Sequence, residues 1–275
     1  MIAIKFISIA LFALVVSACG GSSGFAPVVT GIKAQTLQYG RTSTIYIGGK
    51  DLRSSLVVDS AGGCAAPSFA SNSTTELLVL NCTVQVAGEL PLTIKLDSGA
   101  FIYSTTLNVP NPEVALITTK GTITIELSPA IAPISVNNFL SYVGSGFYKD
   151  SLFHRVISGF VIQAGGYTSG MVKKPNLTAP IQLESNKGLS NLRGTVAMAR
   201  TNLFNSATSE FYVNLMDNLS LDYKNIANPG YAVFGKVVQG MDIVDLIASE
   251  PTGIANGFSD VPKNEISILL AIQSK

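Results

Sequence analysis

Two blocks of short strand-period segments meet at Pro110-Asn111-Pro112, and that junction constrains the fold of this chain more than any other feature. Two prolines two residues apart disfavour regular structure and stiffen the joint. On its N-terminal side, Thr44–Ile47, Leu56–Asp59, Glu76–Val84, Pro91–Leu96 and Phe101–Val109 are rich in Val, Ile, Thr, Tyr and Leu, with Gly, Asn, Asp and Ser between them. Leu92-Thr93-Ile94-Lys95-Leu96 alternates cleanly, one face apolar and one wet. No helix-period segment interrupts them. Residues 26–109 therefore predict a small all-β antiparallel sandwich. Gly48-Gly49-Lys50-Asp51-Leu52 followed by Val57-Val58 resembles the IPT/TIG immunoglobulin-like (Ig-like) family.

Residues 113–275 have a different texture. Val114–Thr119 and Thr122–Leu127 flank Lys120-Gly121 as a hairpin. After Pro129 and Pro133, Val136, Phe139, Leu140 and Val143 recur at helical spacing until Gly144 or Gly146. Strands are expected around Phe153–Ile157, Phe160–Gln163, Thr195–Ala199, Phe211–Asn214, Ala232–Val237 and Ile266–Ile272. A second helix over Met241–Ala248 is expected to bury Ile243, Leu246 and Ile247, and Pro251 and Gly253 stop it. Many strands with two helices near opposite ends predict a closed antiparallel β-barrel capped by those helices.

The N-terminus reads as a targeting segment. Lys5 precedes an apolar run, Phe6–Val16, too short for the ~20 residues a bilayer span needs. Val16-Ser17-Ala18-Cys19 and the Gly20-Gly21-Ser22-Ser23-Gly24 that follows resemble the bacterial lipoprotein lipobox. That resemblance implies a signal peptide over residues 1–18, a lipidated Cys19 and a tether over residues 19–25. It places the product as an exported, membrane-anchored lipoprotein, at the outer membrane and facing the periplasm. Two or three acyl chains anchor stably at about 0.8 kcal/mol per buried methylene. Of the three cysteines, Cys64 and Cys82 then remain, a pair that an oxidising compartment would close. On a chain-entropy model such a bridge contributes roughly 3 kcal/mol. A formal net charge of +1 offers no basic surplus for nucleic acid.

The chemistry concentrates in Phe153-His154-Arg155-Val156-Ile157-Ser158-Gly159-Phe160-Val161-Ile162-Gln163-Ala164-Gly165-Gly166. It sets one fixed cation (Arg155), one aromatic (Phe160) and one amide (Gln163) on two short strands. No metal-ligand spacing, phosphate loop or paired nucleophile accompanies them, and Ser151, Ser158 and Ser209 lack a histidine in any hydrolase motif. Such a set suits a reaction that breaks no covalent bond.

Thr119-Lys120-Gly121, Asn137-Asn138-Phe139, the 153–166 block, Arg193-Gly194-Thr195-Val196-Ala197-Met198-Ala199-Arg200-Thr201, Ser209-Glu210-Phe211-Tyr212, Val233-Phe234-Gly235-Lys236-Val237 and Gly240-Met241-Asp242 occur in this order. Together they resemble the cyclophilin-type peptidyl-prolyl cis-trans isomerases of the bacterial branch. The resemblance implies an enzyme without cofactor or metal that acts on proline-containing peptides or unfolded protein clients. It implies Arg155, Phe160 and Gln163 as catalytic residues. Val161, Tyr212, Leu221 and Tyr231 would form the proline pocket with Phe160, while Ala199, Arg200 and Glu210 line the adjoining peptide groove. Glu210 stands where the family commonly has Gln, and an ionised carboxylate only accepts hydrogen bonds; it is expected either to pair with Arg155 and orient it or to compete with substrate for it. Tyr212 replaces a Phe and brings a hydroxyl that needs a partner. Ser220 aligns with a tryptophan of some members, which implies weak cyclosporin binding. Strand alternation sends His154, the only histidine, away from the groove and into a structural role. The alternative is a proline-segment binding or chaperone module with little turnover, or a surface protein whose N-terminal unit carries the function.

Overall fold

The computed structural model describes residues 25–175 and 178–275. The apolar leader, Cys19 and the tether up to Gly24 lie outside the described residues.

The N-terminal unit comprises β1 (Val28–Ala34), β2 (Thr42–Lys50), β3 (Val57–Asp59), β4 (Cys64–Phe69), β5 (Leu77–Val84), β6 (Gly88–Lys95) and β7 (Phe101–Val109). One sheet runs β1-β2-β5-β4 and another β3-β6-β7, with every pairing antiparallel. Alternation explains their faces: Leu90, Leu92 and Ile94 of β6 are fully buried, as are Ile45 and Ile47 of β2. Both sets belong to one apolar cluster. Each such side chain contributes about 1.5–3 kcal/mol by burial. A disulfide joins Cys64 on β4 to Cys82 on β5, with Cα atoms 5.2 Å apart.

The C-terminal unit continues with β8 (Glu113–Thr118), β9 (Gly121–Leu127), α1 (Pro133–Gly144), β10 (Ser151–Leu152), β11 (Arg155–Ile157), β12 (Val161–Ala164), β13 (Tyr167–Thr168) and β14 (Val172–Lys173). It ends with β15 (Thr195–Met198), β16 (Phe211–Asn214), β17 (Val233–Gln239), α2 (Met241–Ala248), β18 (Thr252–Ala255), β19 (Phe258–Pro262) and β20 (Ser267–Gln273). Nine strands form one curved sheet, β10-β20-β8-β9-β17-β15-β16-β12-β11. It curls into a barrel-like shape, with α1 packed on β17 and β20 and α2 on β9, β11 and β12, but does not close as expected. The terminal strands β10 and β11 are consecutive in the chain, separated only by Phe153 and His154, but β10 pairs with β20 and β11 with β12, so the chain passes from one edge of the sheet to the other without the two edges pairing. Phe153 instead donates its N–H to the Ile266 carbonyl at 2.9 Å.

The interior holds Phe139, Tyr148, Phe211 and Phe234, packed ring against ring at 5.1–5.5 Å. Helix α1 begins at Pro133 and lacks a side-chain cap of its own. Its exposed amides are met by Glu184, which accepts from Ile134 N at 3.1 Å, Ser135 N at 2.8 Å and Ser135 Oγ at 2.8 Å. A carboxylate there also complements the helix dipole. Helix α2 corrects the expected face: it buries Val244 and Ile247, while Leu246 is 47% exposed. Val244 lies one turn from Ile247 at i+3, whereas Leu246 is rotated by a full 100° from it.

The two units are fastened through Tyr39. Its side chain is buried within the C-terminal core cluster, its hydroxyl donates to Asn137 Oδ1 at 2.8 Å, and its carbonyl accepts from Gln273 Nε2 at 2.9 Å. Arg41 Nε donates to Gln273 Oε1 at 3.2 Å beside it. Tyr39→Ala is expected to destabilise the chain by about 3 kcal/mol and to split its urea unfolding, followed by circular dichroism, into two transitions; Tyr39→Phe should lose only about 1 kcal/mol.

Candidate active site

Strand register builds the site. Arg155 on β11 pairs with Gln163 on β12, Gln163 with Tyr212 on β16, Tyr212 with Ala197 on β15, and Ala197 with Val233 on β17. Residues paired across a sheet share a face, so these five form one row on the outer surface. The alternating row, Val156, Ile162, Val213 and Val196, points inward and is fully buried in the core. Phe211 likewise faces the core, as its odd position beside Glu210 and Tyr212 requires.

Arg155, Phe160, Val161, Gln163, Ala199, Arg200, Tyr212, Leu221 and Tyr231 line one hollow of about 220 Å³. Val161 and Tyr212 of that lining form a buried apolar cluster with Ala197 and Val233, and Phe160, Leu221 and Tyr231 pack around it. Tyr231 meets Tyr212 edge-on at 5.8 Å. Nine of the ten residues expected in the groove thus converge. The tenth, Glu210, lines an adjoining hollow with Gln163, Lys173 and Thr208.

Glu210 does not pair with Arg155, as one expected use had it. Its Oε2 accepts from Gln163 Nε2 at 2.8 Å and lies 3.3 Å from His154 Nε2. Because a carboxylate offers only acceptors, it fixes the amide: the Gln163 NH2 points to Glu210 and Oε1 faces Arg155, which donates from Nη1 at 3.5 Å. Gly166 makes room for this carboxylate, since a Cβ there would stand 2.6 Å from Glu210 Cδ. Burial pushes the Glu210 carboxyl up, but the hydrogen bonds and charge from His154, Gln163 and Lys173 outweigh it and hold the group below the ordinary glutamate range. His154 lies behind the groove, 5% exposed, with its ring against Tyr167 at 4.7 Å and its Nδ1 buried without a hydrogen-bond partner.

Arg200 serves as a wall. Its Nε and Nη2 donate to the Gly230 carbonyl at 3.0 and 2.9 Å, its Nη1 donates to the Thr201 carbonyl at 2.9 Å, and its guanidinium lies 4.6 Å from the Tyr231 ring centre. Three of its five N–H donors are engaged in this way, which fixes the guanidinium in place against Tyr231. The Tyr212 hydroxyl donates to Asn191 Oδ1 at 2.8 Å. Asn191 is held in turn by Asp222 Oδ1, through its N–H at 2.7 Å and Nδ2 at 2.9 Å. Burial, with Tyr231 and Asp222 nearby, holds the Tyr212 hydroxyl well above its ordinary pKa and therefore protonated. Asn191 and Asp222 belong to no motif in the sequence; only their convergence on Tyr212 marks them.

Residues 114–271 match the family model of the "Cyclophilin type peptidyl-prolyl cis-trans isomerase/CLD". Peptidyl-prolyl cis-trans isomerase A of Dickeya dadantii is 44% identical over 177 residues, which span 64% of this chain and 90% of that protein. Peptidyl-prolyl cis-trans isomerase B of Escherichia coli is 46% identical over 153 residues, 55% of this chain and 93% of that one. A crystal structure of a Cryptosporidium parvum cyclophilin-type isomerase in the presence of the dipeptide Ala-Pro superposes with a TM-score of 0.52 at 27% identity, covering 59% of this chain and 99% of that one.

The depressed Glu210 carboxyl sets a sign. Its contacts add stability that is complete above the ordinary glutamate range and is lost as pH falls through the lower folded value. Thermal unfolding from pH 7 to pH 3 should therefore show wild type losing an increment at the acid end that Glu210→Gln lacks.

Proposed function

The chain belongs to the cyclophilin-type peptidyl-prolyl cis-trans isomerases, and we propose that Arg155 performs the isomerisation over an apolar proline slot, on client proteins outside the cytoplasm. It is an isomerase of X-Pro bonds. The observation that carries the assignment of roles is the cross-strand row, which sets a cation and an amide beside a hollow lined by Phe160, Val161 and Tyr212.

The chemistry follows from the bond. Amide resonance gives it a barrier of roughly 18–20 kcal/mol. Uncatalysed rotation takes tens to hundreds of seconds. At the twisted transition state resonance is lost and the prolyl nitrogen regains a lone pair. A donor aimed at that nitrogen binds the twisted form better than either planar one, which lowers the barrier. The Arg155 guanidinium stays protonated and presents a rigid fork. Gln163 holds the client backbone, and its amide is pre-set by Glu210. The proline ring sits on Phe160, Val161, Leu221 and Tyr212, with Tyr231 at the rim, and the flanking chain lies along Ala199 and Arg200. The Ala-Pro dipeptide of the Cryptosporidium parvum structure supports a small X-Pro unit as the ligand class.

The remaining readings concern placement. The lipobox at Cys19 supports a lipid-anchored protein at the outer membrane, and the Cys64–Cys82 disulfide suits an oxidising compartment. The N-terminal unit, an Ig-like sandwich in this reading, is a rigid spacer between membrane and groove; the Tyr39 contacts support that rigidity. The clients are then exported polypeptides with X-Pro bonds still to isomerise.

Arg155→Ala should lower turnover of an X-Pro peptide, measured by exchange spectroscopy, about 100-fold, the order found when an electrostatic donor is removed. The peptide's Kd should change less than fivefold. Expressed in a bacterium and fed labelled palmitate, wild type should become labelled and sediment with membranes. Cys19→Ser should do neither.

A further inference from the structure

Residues 252–262, Thr-Gly-Ile-Ala-Asn-Gly-Phe-Ser-Asp-Val-Pro, contribute nothing to the prolyl slot, yet they fold against it. β18 and β19 form a hairpin whose two loop residues, Asn256 and Gly257, have φ of 51° and 84°. Asn-Gly suits such a turn because both positions need left-handed backbone. The ladder pairs Ala255 with Phe258 and Gly253 with Val261. Ser259 and Asp260 therefore oppose Ile254 alone, a β-bulge. Asp260 sits in it at φ 60°, an uncommon conformation for a residue with a side chain. Bulges re-aim side chains. This one belongs to a strand packed on β11, and Asp260 Oδ2 lies 3.8 Å from Arg155 Nε.

The same strand reaches the arginine by a second route. The Phe258 ring meets Tyr167 at 5.2 Å, and Tyr167 meets His154 at 4.7 Å. His154 lies 3.3 Å from Glu210, Glu210 holds Gln163 at 2.8 Å, and Gln163 faces Arg155 at 3.5 Å. A circuit of side chains thus leaves β19 at Phe258 and returns to it at Asp260, passing through the guanidinium.

We propose that the β18–β19 hairpin is a brace for Arg155, with Asp260 as the positioning residue that fixes the guanidinium plane. The proposal rests on Arg155 being the acting group. A guanidinium at the end of a long stem, touched by Gln163 at Nη1 alone, is free to pivot about that contact. A carboxylate at Nε, on the opposite edge, removes the pivot and leaves the remaining N–H groups for the peptide. The two side chains are 40% and 39% exposed, so the pair adds little to folding stability. An unfavourable backbone angle that gains little stability belongs to the class of features kept at functional sites.

The test uses the full chain, an X-Pro peptide and exchange spectroscopy for turnover, with peptide Kd by titration. Asp260→Asn removes the charge and tolerates the left-handed angle; Asp260→Gly removes the carboxylate and relieves the backbone. Each should lower kcat about threefold to tenfold while Kd changes less than twofold and the unfolding midpoint does not fall. Asp260→Glu should regain part of the loss. In an Arg155→Ala background, Asp260→Asn should have no further effect. The brace is overturned if kcat is unchanged in both variants, if the same loss appears without Arg155, or if the loss comes with a lower midpoint and weaker peptide binding. If Arg155→Ala itself keeps wild-type turnover, the role given to Arg155 fails, and the brace with it.

Discussion

Everything about the groove depends on the register of five antiparallel strands. One row of paired positions carries Arg155, Gln163, Tyr212, Ala197 and Val233 outward, while the row beside it carries Val156, Ile162, Val213 and Val196 into the core. A slip of one residue in any of these pairings would exchange a polar groove residue for a core valine. The apolar side therefore enforces the geometry of the chemical side. The energy that holds the arginine opposite the amide is largely the burial of residues that never touch a peptide.

On top of that frame, hydrogen-bond polarity selects orientations. Gln163 has two ends and could present either to Arg155. Glu210 beneath it accepts only, so the carbonyl end is presented to the guanidinium. Tyr212 obeys the same logic, its hydroxyl engaged by an Asn191 that Asp222 holds in place. Both departures from the family pattern, the carboxylate at 210 and the hydroxyl at 212, are thus absorbed by buried partners before they reach the groove.

Most of the fold was legible where periodicity was strong. The β8–β9 hairpin, α1 and the strands around the groove follow from alternation and from Gly and Pro punctuation. Weak or short patterns were not legible. β4 contains Pro67 and is mostly exposed, so nothing in Cys64–Phe69 reads as a strand. β1 pairs with an irregularity around Gly31, which breaks its alternation. β18 and β19 follow Pro251 and look like a loop. The open barrel was unreadable because closure depends on where strand ends meet, not on any strand's own pattern. Within the site, Arg155, Phe160, Gln163 and the slot residues stood out through motif order. Asp260 and Asn191 did not, because they are ordinary polar residues far along the chain from the groups they hold.

The sequence by itself determined which chemistry was on offer: a permanent cation, an aromatic and an amide on two short strands, with the apolar slot implied by the family resemblance. Side-chain period is a local property of the backbone, so it can be read from spacing alone. Tertiary structure alone decided which partners those groups keep. It gave Glu210 to Gln163 and His154 rather than to Arg155, gave Asp260 to Arg155, and turned Arg200 to the carbonyls of Gly230 and Thr201. Such choices are settled by distances of a few ångströms between segments brought together only by the packed core, and local sequence does not encode those distances.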